Sequence, residues 1–200
     1  MSVTDPSHIR AKHDASRRRF LRAIGPCSLA GLSLLSGLQA FAQSDSSTRF
    51  GPAMPDIKPQ QVSEHVWMIF AEDGFPTARN QGMMSNVFFV VTRDGVVVLD
   101  SGSSLQIGQM AIRLIRTVTE RPVVAVFNSH FHGDHWLGND AFAAAYKDIP
   151  IYAHAGTIKE IQGIQGNMWR TMMEQWTNQA TAGTRAVAPN TAIDHGAELS

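Results

Sequence analysis

Ser129-His130-Phe131-His132-Gly133-Asp134-His135-Trp136 crowds four metal donors into six residues: the imidazoles of His130, His132 and His135 and the carboxylate of Asp134. Imidazole is the commonest neutral metal ligand, and a mixed imidazole and carboxylate set suits a borderline cation such as zinc. In extended backbone His130 and His132, two residues apart, project to the same side and can grip one ion. Gly133 then permits a tight bend that swings Asp134 and His135 toward a second ion. The stretch follows the apolar run Val123-Val124-Ala125-Val126-Phe127, which reads as a strand delivering the donors at its C-terminal end. The bland alternative is a histidine-rich surface loop, but chance rarely places such a motif directly after an apolar run.

Upstream, Asn86–Val91 and Val96–Asp100 are β-branched runs joined by Thr92-Arg93-Asp94-Gly95, and Asp-Gly between apolar runs signals a hairpin. Their continuous apolarity predicts strands covered on both faces. Val62–Phe70 has strand character, and 72–85 reads as a loop. Ser103 or Ser104 caps a helix to about Thr119 with Ile107, Met110, Ala111, Leu114, Ile115 and Val118 on one face, leaving Arg113 and Arg116 to solvent. Strand, helix, strand of these lengths is a parallel crossover. Ligands gather at the C-terminal ends of such strands, where both Asp100 and the histidines fall. Downstream come a short helix from Asp140 to about Lys147, capped by Asn139 or Asp140, and a strand over Ile149–His154. His154 could be a fifth polar group near the site, though an isolated histidine ending a strand is more often structural. The segment 156–183 reads as helix broken at Gly163 and Gly166. Its stripe of Met168, Trp169, Met172, Met173 and Trp176 is either a core face or a lid over an apolar substrate.

The pattern HxHxDH at a strand end resembles the signature of the metallo-β-lactamase superfamily of zinc hydrolases, and the histidine after Asp134 resembles its glyoxalase II-like branch and some lactamase branches. The resemblance runs from about Val62 to the C-terminus. It implies an α/β fold, the αββα metallo-β-lactamase sandwich, with only the N-terminal half present and the metal site between two sheets. By motif position His130 and His132 would bind the first Zn2+, Asp134 and His135 the second. Asp100 would sit beneath the metals and bond a ligand histidine; such a carboxylate fixes the ring's tautomer and raises its basicity. The alternative for Asp100 is a turn former ahead of Ser101-Gly102. The loop 72–85 would flap over substrate, bringing Phe75, Met83 and Met84 to it. The superfamily completes its two-zinc site with later ligands. After His135 only His154 and His195 carry imidazoles, and neither sits in a matching motif. The expectation is therefore a fragment of a longer protein, or a shortened one that must dimerise or be inactive.

Two zinc ions flanking one water lower its pKa from 15.7 toward about 7, so the expected chemistry is hydrolysis of an ester, thioester or lactam in a small-molecule substrate. Asp134 has two plausible jobs, zinc ligand and orienter or proton acceptor for the nucleophile. The competing expectation is a truncated or non-catalytic metal-binding module of the same fold.

The remaining features concern location and partners. Ser16-Arg17-Arg18-Arg19-Phe20-Leu21-Arg22 matches the twin-arginine export consensus, and Ala40-Phe41-Ala42 offers a small-x-small cleavage pattern. We therefore read 1–42 as a twin-arginine signal peptide handled by that export machinery, 43–61 as a linker and 62–200 as the domain, in a periplasmic or secreted protein. The segment 23–38 is a poor membrane span, so no stable anchor is expected after processing. The only cysteine, Cys27, lies in the leader, so the mature domain would hold no disulfide. The leader has six basic against two acidic residues, a net of +4, and the rest has eleven against fifteen, a net of −4. No basic patch survives to suggest nucleic acid.

Overall fold

A computed structural model describes residues 49–198; the expected signal peptide and the start of the expected linker lie outside the described residues. Seven strands form one mixed sheet in sequence order: β1 (Gln60–Ser63), β2 (Val66–Ile69), β3 (Val87–Val91), β4 (Val96–Leu99), β5 (Val123–Phe127), β6 (Ile151–Ala153) and β7 (Thr191–Ala192). β1 to β4 pair antiparallel, and β4 to β7 pair parallel. The change falls where the connection lengthens from a tight turn to a helix, because parallel neighbours require a crossover. The α/β class agrees with the reading of the sequence.

The first crossover is α1 (Leu105–Val118), which begins where Ser104 Oγ accepts the Ile107 N–H at 3.2 Å; a cap of this kind is worth about 1 kcal/mol. The second carries the single turn α2 (Gly133–Trp136) and α3 (Asn139–Ala145), and the third carries α4 (Ala155–Glu160), a π-helical turn (Ile161–Gln165) and α5 (Gly166–Trp176). Ile107, Met110, Ala111, Leu114 and Ile115 of α1 and Phe142 of α3 pack on Val87, Phe89, Val96, Val98 and Val126 of the sheet. Each fully buried side chain of this kind contributes about 1.5–3 kcal/mol. No helix among the described residues is long and apolar enough to cross a membrane.

Several local expectations differ from the structure. Val62–Phe70 is two short strands with a turn at Glu64-His65. β3 and β4 are well buried on one face only: Phe88 and Leu99 are cross-strand partners on the other face, and Leu99 stays 43% exposed. The segment before β1 is pinned despite its linker-like composition. Met54 is buried in the core, and Arg113, expected to be solvated, donates to Met54 O at 2.8 Å and pairs with Asp56 at 2.7 Å. Nor do Asn139 and Asp140 cap α3, whose N-cap is Gly138. Buried partners outcompete the helix end: Asn139 Nδ2 donates to Asn128 Oδ1, and Asp140 receives Arg185.

Candidate metal centre

The site is assembled where β4 and β5, side by side, run out into loops. Asp100 follows β4 with φ 57°, a left-handed conformation that Asp tolerates better than most residues. Its backbone N–H donates to Phe127 O at 2.8 Å, tying the end of β4 to the end of β5. Beyond β5, Asn128 and Ser129 lead into the histidines. The carboxylate of Asp100 accepts the Ser129 N–H at 2.8 Å, the Ser129 hydroxyl at 2.9 Å and His135 Nδ1 at 2.8 Å. A neutral scaffold lies behind it. Asn128 Nδ2 and the Ser101 N–H both donate to His135 O (3.0 and 2.9 Å), and the Ser101 hydroxyl donates to Asn139 Oδ1 at 2.8 Å. Ser101, Asn128 and Asn139 are all buried, so each needs the partner it has.

Gly138 closes this scaffold. A Cβ there would lie 2.0 Å from Ser101 O, which backbone cannot yield. Gly133 plays a similar part on the outer side, where a Cβ would meet Trp169 Cβ at 2.8 Å. The bend at Gly133 is thus occupied by a neighbouring helix as well as turned by the chain.

The imidazoles converge. The His130 ring centroid is 4.6 Å from that of His132 and 4.2 Å from that of His135. His135 turns Nδ1 onto Asp100 and Nε2 onto Asp134 Oδ2, the latter at 3.1 Å. Burial works against charge on the His135 ring, but the hydrogen bonds and charges of Asp100 and Asp134 outweigh it and push its pKa up to about 9. Burial also works against the Asp134 carboxylate, yet the hydrogen bond and charge of His135 hold it below its ordinary range. His130 is pushed down, by burial and then by the two neighbouring imidazoles.

Three imidazoles and a carboxylate are a zinc-type donor set, and a second carboxylate stands behind one ring as zinc sites require. The residues therefore fit the ion in type. Among the described residues no three His, Cys, Asp or Glu side chains already stand around one point as ligands; His135 commits both ring nitrogens to carboxylates instead.

The other expected residues are placed as follows. His154 Nδ1 accepts the Gly156 N–H at 3.1 Å and caps α4, and His195 is exposed in a turn. Trp136 is fully buried with its indole N–H on Phe131 O at 2.8 Å, so it packs beneath the loop. Met83 is buried in the core, Met84 packs against a smaller cluster around Trp136, and Phe75 is exposed. The sequence did not mark Ser101, Asn128, Ser129 or Asn139 as parts of the site: Asn139 read as a helix cap, and the only signal for Asn128 and Ser129 is their place immediately before the first histidine.

The sequence pattern of the metallo-β-lactamase superfamily matches residues 80–175. Over that segment the chain is similar to the metallo-β-lactamase superfamily. The stretch includes Asp100 and all four motif donors, and the branch within the superfamily is not resolved by it. Solved structures similar to this chain include a metallo-β-lactamase from Erythrobacter litoralis with β-mercaptoethanol in its active site, 19% identical, covering 68% of this chain and 49% of that one with a TM-score of 0.43. Another is the metallo-β-lactamase FIM-1 from Pseudomonas aeruginosa in its mono-zinc form, 14% identical, covering 72% and 53% with a TM-score of 0.45. The chain spans about half the length of these structures. No curated protein matches it.

Proposed function

We propose that this chain carries the zinc-binding part of an exported hydrolase that cleaves an ester, thioester or lactam. The observation supporting this most strongly is the convergence of the His130, His132 and His135 rings, within 4.2–4.6 Å, beside Asp134 at the ends of two parallel strands. His130 and His132 would hold one ion, Asp134 and His135 the second. When bound, zinc lowers the pKa of a water to about 7 and polarises a carbonyl. Asp134, a buried carboxylate kept ionised, orients the attacking water and takes its proton. Asp100 holds the His135 tautomer through Nδ1, and Ser129 Oγ, 3.0 Å from His130 Nδ1, holds that ring in turn. Export rests on the leader's twin-arginine pattern alone, with a periplasmic or secreted destination.

The test is metal content and turnover of the complete polypeptide. About two zinc ions per chain, with hydrolysis of a chromogenic ester or cephalosporin, is the expected result, and Asp134→Asn should lower kcat at least about 100-fold while leaving folding intact. One weakly held ion and no turnover would replace this reading with a non-catalytic metal-binding module.

A further inference from the structure

The single turn α2 carries two of the four donors, Asp134 and His135, and is too short to satisfy its own carbonyls. Leu137 N–H closes it onto Gly133 O at 3.0 Å, but the next amide, Gly138 N–H, turns away to Gly102 O at 2.8 Å. The carbonyls of Asp134 and His135 are met from outside the turn. That of His135 receives the Ser101 N–H and Asn128 Nδ2, from the residues that follow β4 and β5. That of Asp134 receives the Ser85 hydroxyl at 2.6 Å, at the short end of the range for an O–H···O bond.

Ser85 lies 49 residues before Asp134, at the end of the loop between β2 and β3, and is fixed on both flanks. Met84 packs on the cluster around Trp136, and Asn86 Oδ1 accepts the Ala71 N–H at 2.9 Å, which closes the base of the loop. The hydroxyl is therefore delivered to the metal turn by a held backbone. The two donor residues of α2 are anchored unequally. His135 is gripped at its ring by Asp100 and at its carbonyl by Ser101 and Asn128. Among the described residues, the bond that holds Asp134 from outside the motif is that of Ser85. Rotation of the 134–135 peptide would swing the Asp134 carboxylate away from His135 Nε2, where it now stands at 3.1 Å.

Resting on the hydrolytic reading above, we propose that Ser85 is a positioning residue for Asp134: its hydroxyl fixes the peptide that carries the carboxylate and so sets the site of the second zinc ion, which Asp134 and His135 would hold. The first ion, which His130 and His132 would hold, does not depend on it. Partners behind a ligand are worth about 10–100-fold in metal affinity. Ser85 acts through the backbone rather than on the carboxylate, which places it at the lower end of that range.

The test is zinc binding by the full chain, measured in competition with a chromogenic chelator, together with amide hydrogen exchange of the metal-free protein. In Ser85→Ala the second zinc should bind about tenfold more weakly and the first as in wild type. The Leu137 N–H, which closes the turn, should exchange at least about fivefold faster relative to the amides of α1. Ser85→Thr keeps the hydroxyl and should restore most of both. Ser103→Ala is the control: it removes a serine bond of the same kind to the same loop, from Ser103 Oγ to Gly82 O at 2.5 Å, and should leave both zinc affinities unchanged. Equal second-ion affinity in wild type and Ser85→Ala, an equal loss in Ser103→Ala, or unchanged Leu137 exchange would overturn the role of Ser85. A wild-type chain that takes up no second ion would sink the two-zinc reading, and the metal-free exchange would then decide alone whether Ser85 orders the turn. Two ions bound as described, with no ester or cephalosporin hydrolysed, would sink the hydrolytic reading and leave the positioning by Ser85 standing.

Discussion

Asp100→Asn tests the centre of the site with little disturbance of its shape. Asn matches Asp in size and tolerates the left-handed backbone at φ 57°, so the substitution changes charge and one donor pattern only. The Asn oxygen can still accept from the Ser129 N–H, and the Ser129 hydroxyl can reverse to accept. The position facing His135 Nδ1 becomes an N–H, so the ring must give up its Nδ1 proton or lose its partner. A rise from 6.5 to about 9 for His135 corresponds to about 3 kcal/mol of preference for the charged ring. Asp100 and Asp134 share it, so loss of one charge should cost about 1.5–2 kcal/mol, consistent with a charge-assisted hydrogen bond. In a domain of this size that lowers Tm by roughly 3–8 °C. The sign with pH follows from the raised value. The stabilisation is complete below 6.5, where the unfolded ring is also charged, and disappears as pH rises through about 9. The assay is thermal unfolding of chelator-dialysed protein at pH 6, 7.5 and 9. The mutant deficit should be largest at pH 6 and shrink toward pH 9, with zinc affinity about 10–100-fold weaker. Equal Tm values at pH 6, or a deficit constant with pH, would refute the assignment of Asp100 as the partner that charges His135.

Three further outcomes follow from other contacts. Gly138→Ala puts a methyl 2.0 Å from Ser101 O and should cost at least about 2–3 kcal/mol in urea unfolding; unchanged stability would mean that α3 does not begin against Ser101. Arg185→Ala removes the guanidinium that bonds the buried Asp140 at 2.6 and 2.8 Å, leaving the Arg185 N–H as its partner, and should cost about 1–2 kcal/mol after allowance for the exposure of Arg185; no loss of stability in the same urea assay would contradict this. Zinc uptake at pH 8 should release about one proton, because His135 is still protonated there without metal; calorimetry in two buffers of different ionisation heat should give different apparent enthalpies, and identical values would exclude the release.

The regular elements were legible because each obeys a local rule. α1 shows a 3.6-residue apolar stripe starting at a serine cap, and β3 and β4 show β-branched runs around Asp-Gly. The irregular parts were not. Residues 49–59 carry no period, and long-range contacts hold them in place, among them buried Met54, the Arg113 bond to Met54 O and the Gly51 N–H on Ala182 O. The asparagine beside α3 looked like a cap because capping is a local rule; a buried Asn128 across the sheet edge offered it better partners. Trp169 read as part of a core face ahead of a lid, since a stripe says which residues share a face and nothing of what that face meets.

The order of residues alone determined which donors exist and where on the chain they sit: His130, His132, Asp134 and His135 follow a strand, and Asp100 ends the one before it. Only the tertiary structure decided that β4 and β5 lie side by side, that Asp100 reaches His135 at 2.8 Å, and that α5 lays Trp169 against His132. The physical reason is one of range. Strand and helix periods arise between residues a few positions apart, whereas a hydrogen bond across 35 residues depends on how the intervening crossover folds back.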